Sequence, residues 1–185
     1  MSFRVILCII FELFASFSVS FPPLFRPFSS LFALFLTHFH RSDQFEARFV
    51  TLRLESQPSA HASVFFSSMA GSRIPIAASH GEGRALFASP EDEAACQDHV
   101  AARFVDNSGA VTQHFPLNSN GSPRGVASVT AAGGRVTAIM PHPERVLRMG
   151  NMPYRPEVKG GVLAEDGSDE SPWMAMFYSA RRWVG

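Results

Sequence analysis

The chain has 185 residues, with 16 basic and 16 acidic side chains, so its formal net charge at pH 7 is zero. This balance gives no reason to expect nucleic acid or an anionic membrane surface as a partner. The length allows one ordinary domain, or part of one with an appendage. Two cysteines, Cys8 and Cys96, do not make a disulfide framework or a metal-ligand pattern, which favours a reducing compartment.

The first forty residues differ in composition from the rest, since they hold 10 of the 18 phenylalanines and almost no charge. A basic Arg4, an apolar run and small residues at 18–20 resemble a secretory signal, but Glu12 interrupts the run. Prolines break the stretch before the roughly 20 apolar residues of a membrane-spanning helix. Three interpretations stay open: translated non-coding sequence from an incorrect gene model, a targeting peptide, or a genuine structural element. We predict a non-homologous stretch at 1–40 and a domain at 41–185.

The first elements of the domain are strands. Residues 45–54 alternate apolar with polar side chains, which is the period of a half-buried strand. Residues 57–70 are ambiguous between loop and short helix. Residues 74–78 predict a short strand, and Pro75 places it at a sheet edge or makes that residue the beginning of the strand.

A helix and two strands follow. Ser89 is a predicted helix cap, because a proline and three acidic residues come directly after it, and the helix should run to about His99. Two strands at 100–105 and 111–115 are expected around a turn at 106–109.

The last third contains a strand pair and a terminal helix. A loop at 117–123 precedes strands at 126–130 and 135–140, which turn at two glycines. A polar loop at 151–171 leads to a helix at 172–183, whose apolar residues recur at helical spacing. The order of elements predicts an α/β or α+β domain that is rich in strands.

The sharpest chemical feature is His142-Pro143-Glu144, directly after the last predicted strand. Pro141 and Pro143 restrict the backbone on both sides of the histidine. An imidazole and a carboxylate would then be held at the carboxyl end of a strand, where open α/β sheets place their sites. A general base needs such placement, and a carboxylate can fix its tautomer. The alternative is a surface turn without a task.

A second candidate follows the short strand at 74–78, in the sequence SHGEGR at 79–84. Its two glycines would let the backbone approach a ligand closely, although an ordinary turn has the same composition. The predicted substrate-binding residues are Ser79, His80, Gly81 and Glu82. The seven histidines show no ligand spacing for zinc, so no metal site is predicted.

Several segments in order resemble the C-terminal end of phosphoribosylformylglycinamidine synthase, a large enzyme of purine biosynthesis. They are RSDQFEARF at 41–49, IPIAASHGEGR at 74–84, RFVDN at 103–107 with FPLNSNGS at 115–122, MPHPER at 140–145, and SPWMAMFYSAR at 171–181. Gln44 stands where that family usually has arginine. Each match alone is moderate, but their order makes the resemblance specific.

The resemblance implies a class I glutamine amidotransferase domain with a flavodoxin-like α/β fold, of which this chain has the C-terminal, β-rich part. It implies a Cys-His-Glu triad, with His142 as the base and Glu144 as its orienting carboxylate. The implied partners are glutamine and the synthase domain of the parent enzyme. ATP and magnesium would belong to that parent and not to this fragment. The implied location is cytoplasmic, or organellar or secreted if the N-terminal stretch is a targeting peptide.

The nucleophile is where this sequence departs from the family. The family carries its cysteine in a glycine-rich segment upstream of the counterpart of Arg41, and here the phenylalanine-rich stretch takes that place. Cys8 has no adjacent glycines, and Cys96 lies in an acidic predicted helix. We therefore expect a fragment with the base and the acid but no nucleophile, inactive alone. The alternative is a secreted or membrane-tethered, non-catalytic module that binds a small ligand.

Overall fold

The computed structural model describes residues 41–154 and 169–185, together with the strand at residues 6–8. Within this part, the elements are β1 (Ile6–Cys8), β2 (Glu46–Leu54), β3 (Arg73–His80), α1 (Pro90–Cys96), β4 (Val100–Val105), β5 (Val126–Ala131), β6 (Val136–Ile139) and α2 (Ala175–Val184). The six strands form one sheet in the order β1-β6-β5-β4-β2-β3. β1 is parallel to β6, and the other neighbours are antiparallel. The result is a mixed α/β domain, as predicted.

The strand at the N-terminus takes three residues of the phenylalanine-rich stretch into the sheet. Ile6–Cys8 pairs with the residues of β6 from Val136 to Ala138. The rest of the segment 1–40 lies outside the described residues, and its proposed boundary with the domain stays a prediction.

The pairing of β2 with β3 confirms the predicted alternation. Val50 faces Ile76 and Leu52 faces Ile74 across the two strands, and all four side chains are buried. Pro75, which has no N–H to donate, lies in the last strand of the sheet, as its chemistry required.

The main core lies between this face of the sheet and the C-terminal helix. Trp173 is fully buried just before α2, and its indole Nε1 donates to the carbonyl oxygen of Pro75 over 2.8 Å. Phe66 meets the Trp173 ring edge-on, with centroids 6.2 Å apart. Residues 57–70, whose conformation the sequence left ambiguous, form turns that bury Phe66 and Met69 in this core. Indole burial with a satisfied N–H fixes the helix against the sheet.

The predicted cap of the first helix is confirmed. The hydroxyl of Ser89 accepts a hydrogen bond from the Asp92 N–H over 3.2 Å, and Pro90 occupies the first turn. The helix ends at Cys96 and continues as a 3₁₀ turn, Gln97–His99, directly into β4.

The strand predicted at 111–115 is wrong. Val111 forms a single antiparallel bridge with Val105, and no strand follows it. A longer strand after Val111 would have to pair next with Arg103, but the backbone of Arg103 already pairs on that side with Val126 of β5. Because β4 is flanked by β2 and β5, the returning chain finds a free position only at the end of β4.

After β6, the chain reaches β3, the strand at the other edge of the sheet. The N–H of His142 donates to the carbonyl oxygen of Ala77 in β3 over 2.7 Å, and the two residues form an antiparallel bridge. The sheet is therefore curled, and this curl builds the candidate site. Of the loop predicted at 151–171, residues 155–168 lie outside the described part. Among the described residues, no helix combines the length and apolarity needed to cross a membrane.

Candidate active site

A histidine–carboxylate pair lies at the end of β6. After the strand, Pro143 begins a 3₁₀ turn, Pro143–Val146, that brings the Glu144 side chain back to the imidazole. The Nδ1 atom of His142 is 2.7 Å from the Oε1 atom of Glu144. His142 is only 7% exposed. The structure thus holds the two predicted residues in direct contact.

The electrostatics of the pair favour a charged carboxylate. Partial burial raises the pKa of Glu144, but the hydrogen bond from His142, the residue's own backbone N–H and the neighbouring positive charge of Arg145 outweigh it, so the pKa is lowered overall. A carboxylate that accepts the Nδ1 proton leaves the lone pair on Nε2. That Nε2 atom is buried and has no hydrogen-bond partner among the described residues. A buried polar atom of this kind calls for a functional explanation.

His80 is the predicted site residue that the curl brings to His142. It is the last residue of β3, on the core-facing side, and its ring centroid is 5.8 Å from that of His142 at an angle of 40°. Its Nδ1 atom is 2.8 Å from the carbonyl oxygen of Glu82. The backbone carbonyl of Glu82 thus helps to orient the His80 ring.

The turn at 79–84 is pressed against the end of β6. Gly83 has a φ of +104°, which favours glycine, and a Cβ atom there would lie 1.5 Å from the Cε atom of Met140, so a larger residue would also displace that side chain. Gly81, by contrast, has room for a Cβ at ordinary contact distance. The hydroxyl of Ser79 accepts a hydrogen bond from Arg145 over 3.1 Å, which ties the turn to the His-Pro-Glu segment. Of the four predicted substrate-binding residues, His80 thus lies against His142 and Ser79 contacts Arg145, while Gly81 and Glu82 follow in the same turn.

A buried polar loop supports this turn, and the sequence did not reveal it as part of the site. The amide of Asn120 donates to the Gly83 carbonyl oxygen over 3.1 Å, and the hydroxyl of Ser122 accepts from the Ala85 N–H over 2.9 Å. Asn118, Asn120 and Ser122 are all buried. Loops of this composition are usually exposed, so only the density of asparagine in the loop could have pointed to such a network.

The two cysteines lie on separate elements. The backbone of Cys8 in β1 pairs with that of Ala138 in β6, four residues before His142. Cys96 lies at the end of α1, and burial raises the pKa of its thiol to about 11, with the charge of Arg103 opposing this in part. At neutral pH it is a protonated thiol, and the thiolate is the nucleophilic form. The described residues contain no group of three histidine, cysteine or acidic side chains that could hold a metal ion.

A buried imidazole in contact with a carboxylate thus lies just after a strand of a mixed α/β domain. Residues 34–184 match the family of CobB/CobQ-like glutamine amidotransferase domains, and the chain belongs to that family.

The fold is also found in a solved structure, that of PurLQS from Thermotoga maritima. The TM-score is 0.51 at 22% sequence identity, over 82% of this chain and 53% of that chain. This chain therefore spans about half the length of that relative. The amidotransferase family and the mixed α/β fold expected from the sequence are confirmed, whereas the roles of individual site residues stay predictions.

Proposed function

We propose that this chain is part of the glutamine-hydrolysing domain of a phosphoribosylformylglycinamidine synthase, and that it supplies the base and the orienting carboxylate. The observation that carries the proposal is the Nε2 atom of His142, buried and unpaired among the described residues while Glu144 holds Nδ1. Family membership supports glutamine as the substrate. The ordered motif resemblance and the similarity in fold to PurLQS support the particular synthase.

In the proposed reaction, a cysteine thiol from outside this chain loses its proton to Nε2 of His142. The thiolate attacks the side-chain amide carbon of glutamine, and the same imidazole returns the proton to the departing ammonia. Water, deprotonated by the imidazole, then hydrolyses the glutamyl thioester and releases glutamate and the thiol. Glu144 stabilises the imidazolium at each stage without taking up its proton.

The turn at 79–84 is proposed to position glutamine. The His80 ring lies beside the imidazole of His142, and the Ser79 hydroxyl accepts a hydrogen bond from Arg145, the residue after Glu144. Gly81 permits close approach of a ligand to the backbone, and Glu82 contributes its carbonyl to the orientation of His80. These residues would define the site at which the amide group meets the thiol.

ATP and magnesium belong, in this proposal, to the synthase domain that receives the ammonia. Within the described residues, no group of three histidine, cysteine or acidic side chains comes together. No step assigned to this chain uses either group. A cytoplasmic location is part of the same proposal, because the synthase belongs to purine biosynthesis.

The first experiment measures ammonia release from glutamine by the purified chain. We expect the same rate for the wild type and for His142→Ala, because the thiol is not in reach of the base. Release from the wild type well above the variant would contradict the proposed absence of a nucleophile.

The second experiment tests the assigned roles directly. The upstream half of a related amidotransferase domain, including its cysteine, replaces residues 1–40. The soluble chimera should hydrolyse glutamine, and His142→Ala should reduce kcat by about 10²–10⁴-fold, the usual contribution of a general base. The matched control is His114→Ala, because the His114 side chain is exposed. Activity that is indifferent to His142 in a folded chimera would refute the triad assignment.

A further inference from the structure

Arg84 is the last residue of the turn at 79–84, four residues after His80. Its side chain is partly buried, and its Nε atom is buried without a hydrogen-bond partner among the described residues. None of the ion pairs within the described part of the chain includes this guanidinium. Arginine stays charged in proteins, and burying a charge costs free energy unless the charge is paired. Arg84 therefore needs an anion.

The backbone on both sides of Arg84 is fixed. The carbonyl oxygen before it accepts a hydrogen bond from the Asn120 amide over 3.1 Å, and the N–H after it donates to the Ser122 hydroxyl over 2.9 Å. The preceding glycine lies against Met140, which is two residues before His142. The Arg84 side chain thus starts from a rigid backbone near the end of β6, where the imidazole of the candidate active site is also held.

Ser119 supplies a second buried polar atom, on the same loop as Asn120 and Ser122. It is 2% exposed, and its Oγ atom has no hydrogen-bond partner among the described residues. Buried polar atoms are nearly always paired, so two unpaired ones on segments that are hydrogen-bonded to each other indicate a ligand. A guanidinium has only donors and a hydroxyl can donate, so the matching ligand is a negatively charged acceptor.

We propose that Arg84 and Ser119 bind the α-carboxylate of glutamine, an inference that rests on the proposed function for the identity of the substrate. A guanidinium matches a carboxylate in two parallel hydrogen bonds, and the hydroxyl can donate a third. Glutamine carries its amide at one end and its α-carboxylate at the other. The amide can therefore meet His142 while the carboxylate binds at the far end of the turn. Arg84 then selects amino acids over simple amides.

Binding to the full chain, followed by NMR titration of the ligand, tests this inference without a thiol and without turnover. Three compounds are compared: glutamine, glutaramate, which lacks the α-amino group, and γ-aminobutyramide, which lacks the α-carboxylate. The wild type should bind the two carboxylates about tenfold more tightly than γ-aminobutyramide, or better. Arg84→Gln should weaken both carboxylates by about tenfold and leave γ-aminobutyramide unchanged, because only the contacts to the carboxylate are lost.

Two further variants and a control accompany this titration. Arg84→Lys should bind the carboxylates with an affinity between those of the wild type and Arg84→Gln, since it keeps the charge without the fork. Ser119→Ala should weaken the same two compounds by a smaller factor. Arg182→Gln is the matched control, because Arg182 is exposed in the last turn of α2 and should leave all three affinities unchanged. Circular dichroism establishes that each variant is folded.

Three results would overturn the inference. The first is no binding of glutamine or glutaramate by the folded wild-type chain. The second is equal weakening of all three compounds by Arg84→Gln, which would indicate a structural role for the arginine. The third is equal loss of affinity in Arg84→Gln and Arg182→Gln, which would indicate attraction to general positive charge. Failure of the proposed function is seen separately, as activity of the chimera that does not depend on His142.

Discussion

Asn120→Ala removes the side chain that fastens the turn beside the candidate site. Asn120 is fully buried, and its amide donates to the Gly83 carbonyl oxygen while its Oδ1 accepts from the Ser122 N–H over 3.0 Å. Alanine replaces neither contact. Two backbone groups would then stay buried without partners, unless the loop opens to water.

The expected cost follows from those two groups. Leaving a buried donor or acceptor unsatisfied costs about 1–3 kcal/mol, so the pair amounts to about 2–6 kcal/mol. This is a large fraction of the ~5–15 kcal/mol by which folded domains are typically stabilised. Urea unfolding followed by the fluorescence of the buried Trp173 measures the change. Asn151→Ala is the control, because Asn151 is exposed and should shift the free energy of unfolding by about 0.5 kcal/mol or less.

Asn120→Asp replaces the amide donor with a carboxylate at a fully buried position. The ionised side chain would face the Gly83 carbonyl oxygen, so this variant should be at least as destabilised as Asn120→Ala at neutral pH. In an active chimera, Asn120→Ala should raise KM for glutamine more than it lowers kcat, because the turn positions the substrate and not the proton. A free energy of unfolding equal to that of Asn151→Ala would refute the account of this loop.

Further predictions concern a buried glycine and two of the ionisable groups with an altered pKa, Glu144 and Cys96. Gly134→Ala should lower the free energy of unfolding by several kcal/mol more than Gly71→Ala in urea titrations, because a Cβ at Gly134 would lie 1.7 Å from the Ala62 carbonyl oxygen. Gly71 is the control, since it also has a positive φ but has open space around it, and equal losses of stability would count against the packing described. The pKa of Glu144 is lowered in the folded chain from its usual 4.5, so its contribution to stability should be present above pH 4.5 and lost as pH falls through the lower pKa of the folded state. The free energies of unfolding of the wild type and of Glu144→Gln should therefore converge in acid, and a difference that stays constant with pH would exclude this linkage. Alkylation of Cys96 in the folded chain should be slow at neutral pH and accelerate as pH approaches about 11, and rapid glutamine-protectable labelling at pH 7 would reverse its dismissal as a nucleophile.

The features that the sequence predicted correctly depend on neighbours along the chain. The alternation at 45–54 gives β2, and Ser89 with Pro90 begins α1, because a strand's period and a helix cap are set within a few residues. The contact of His142 with Glu144 is of the same kind, since the side chains are two residues apart and flanked by prolines. The ordered motifs likewise indicated the amidotransferase family, because each motif is a short run of neighbouring residues.

The strand wrongly predicted at 111–115 shows that a local sequence pattern does not reveal whether a neighbouring strand is free to pair. The turn at 106–109 predicted a second strand after it, but a strand also needs an unoccupied strand edge with which to pair. At Arg103 that edge belongs to β5, which lies more than twenty residues further along the chain. Availability of a partner is a property of the whole sheet.

The sequence by itself determined the family, most elements, and the pair of His142 and Glu144. Only the tertiary structure decided that His80 faces this pair, that Asn120 fastens its turn, and that Arg53 lies between two other arginines. Each of these contacts joins residues far apart in sequence, through strand register or through the curl of the sheet. Such contacts form when the sheet and helices bury their apolar side chains and satisfy their backbone hydrogen bonds together. Both requirements involve residues from the whole domain, so a local segment of sequence does not predict them.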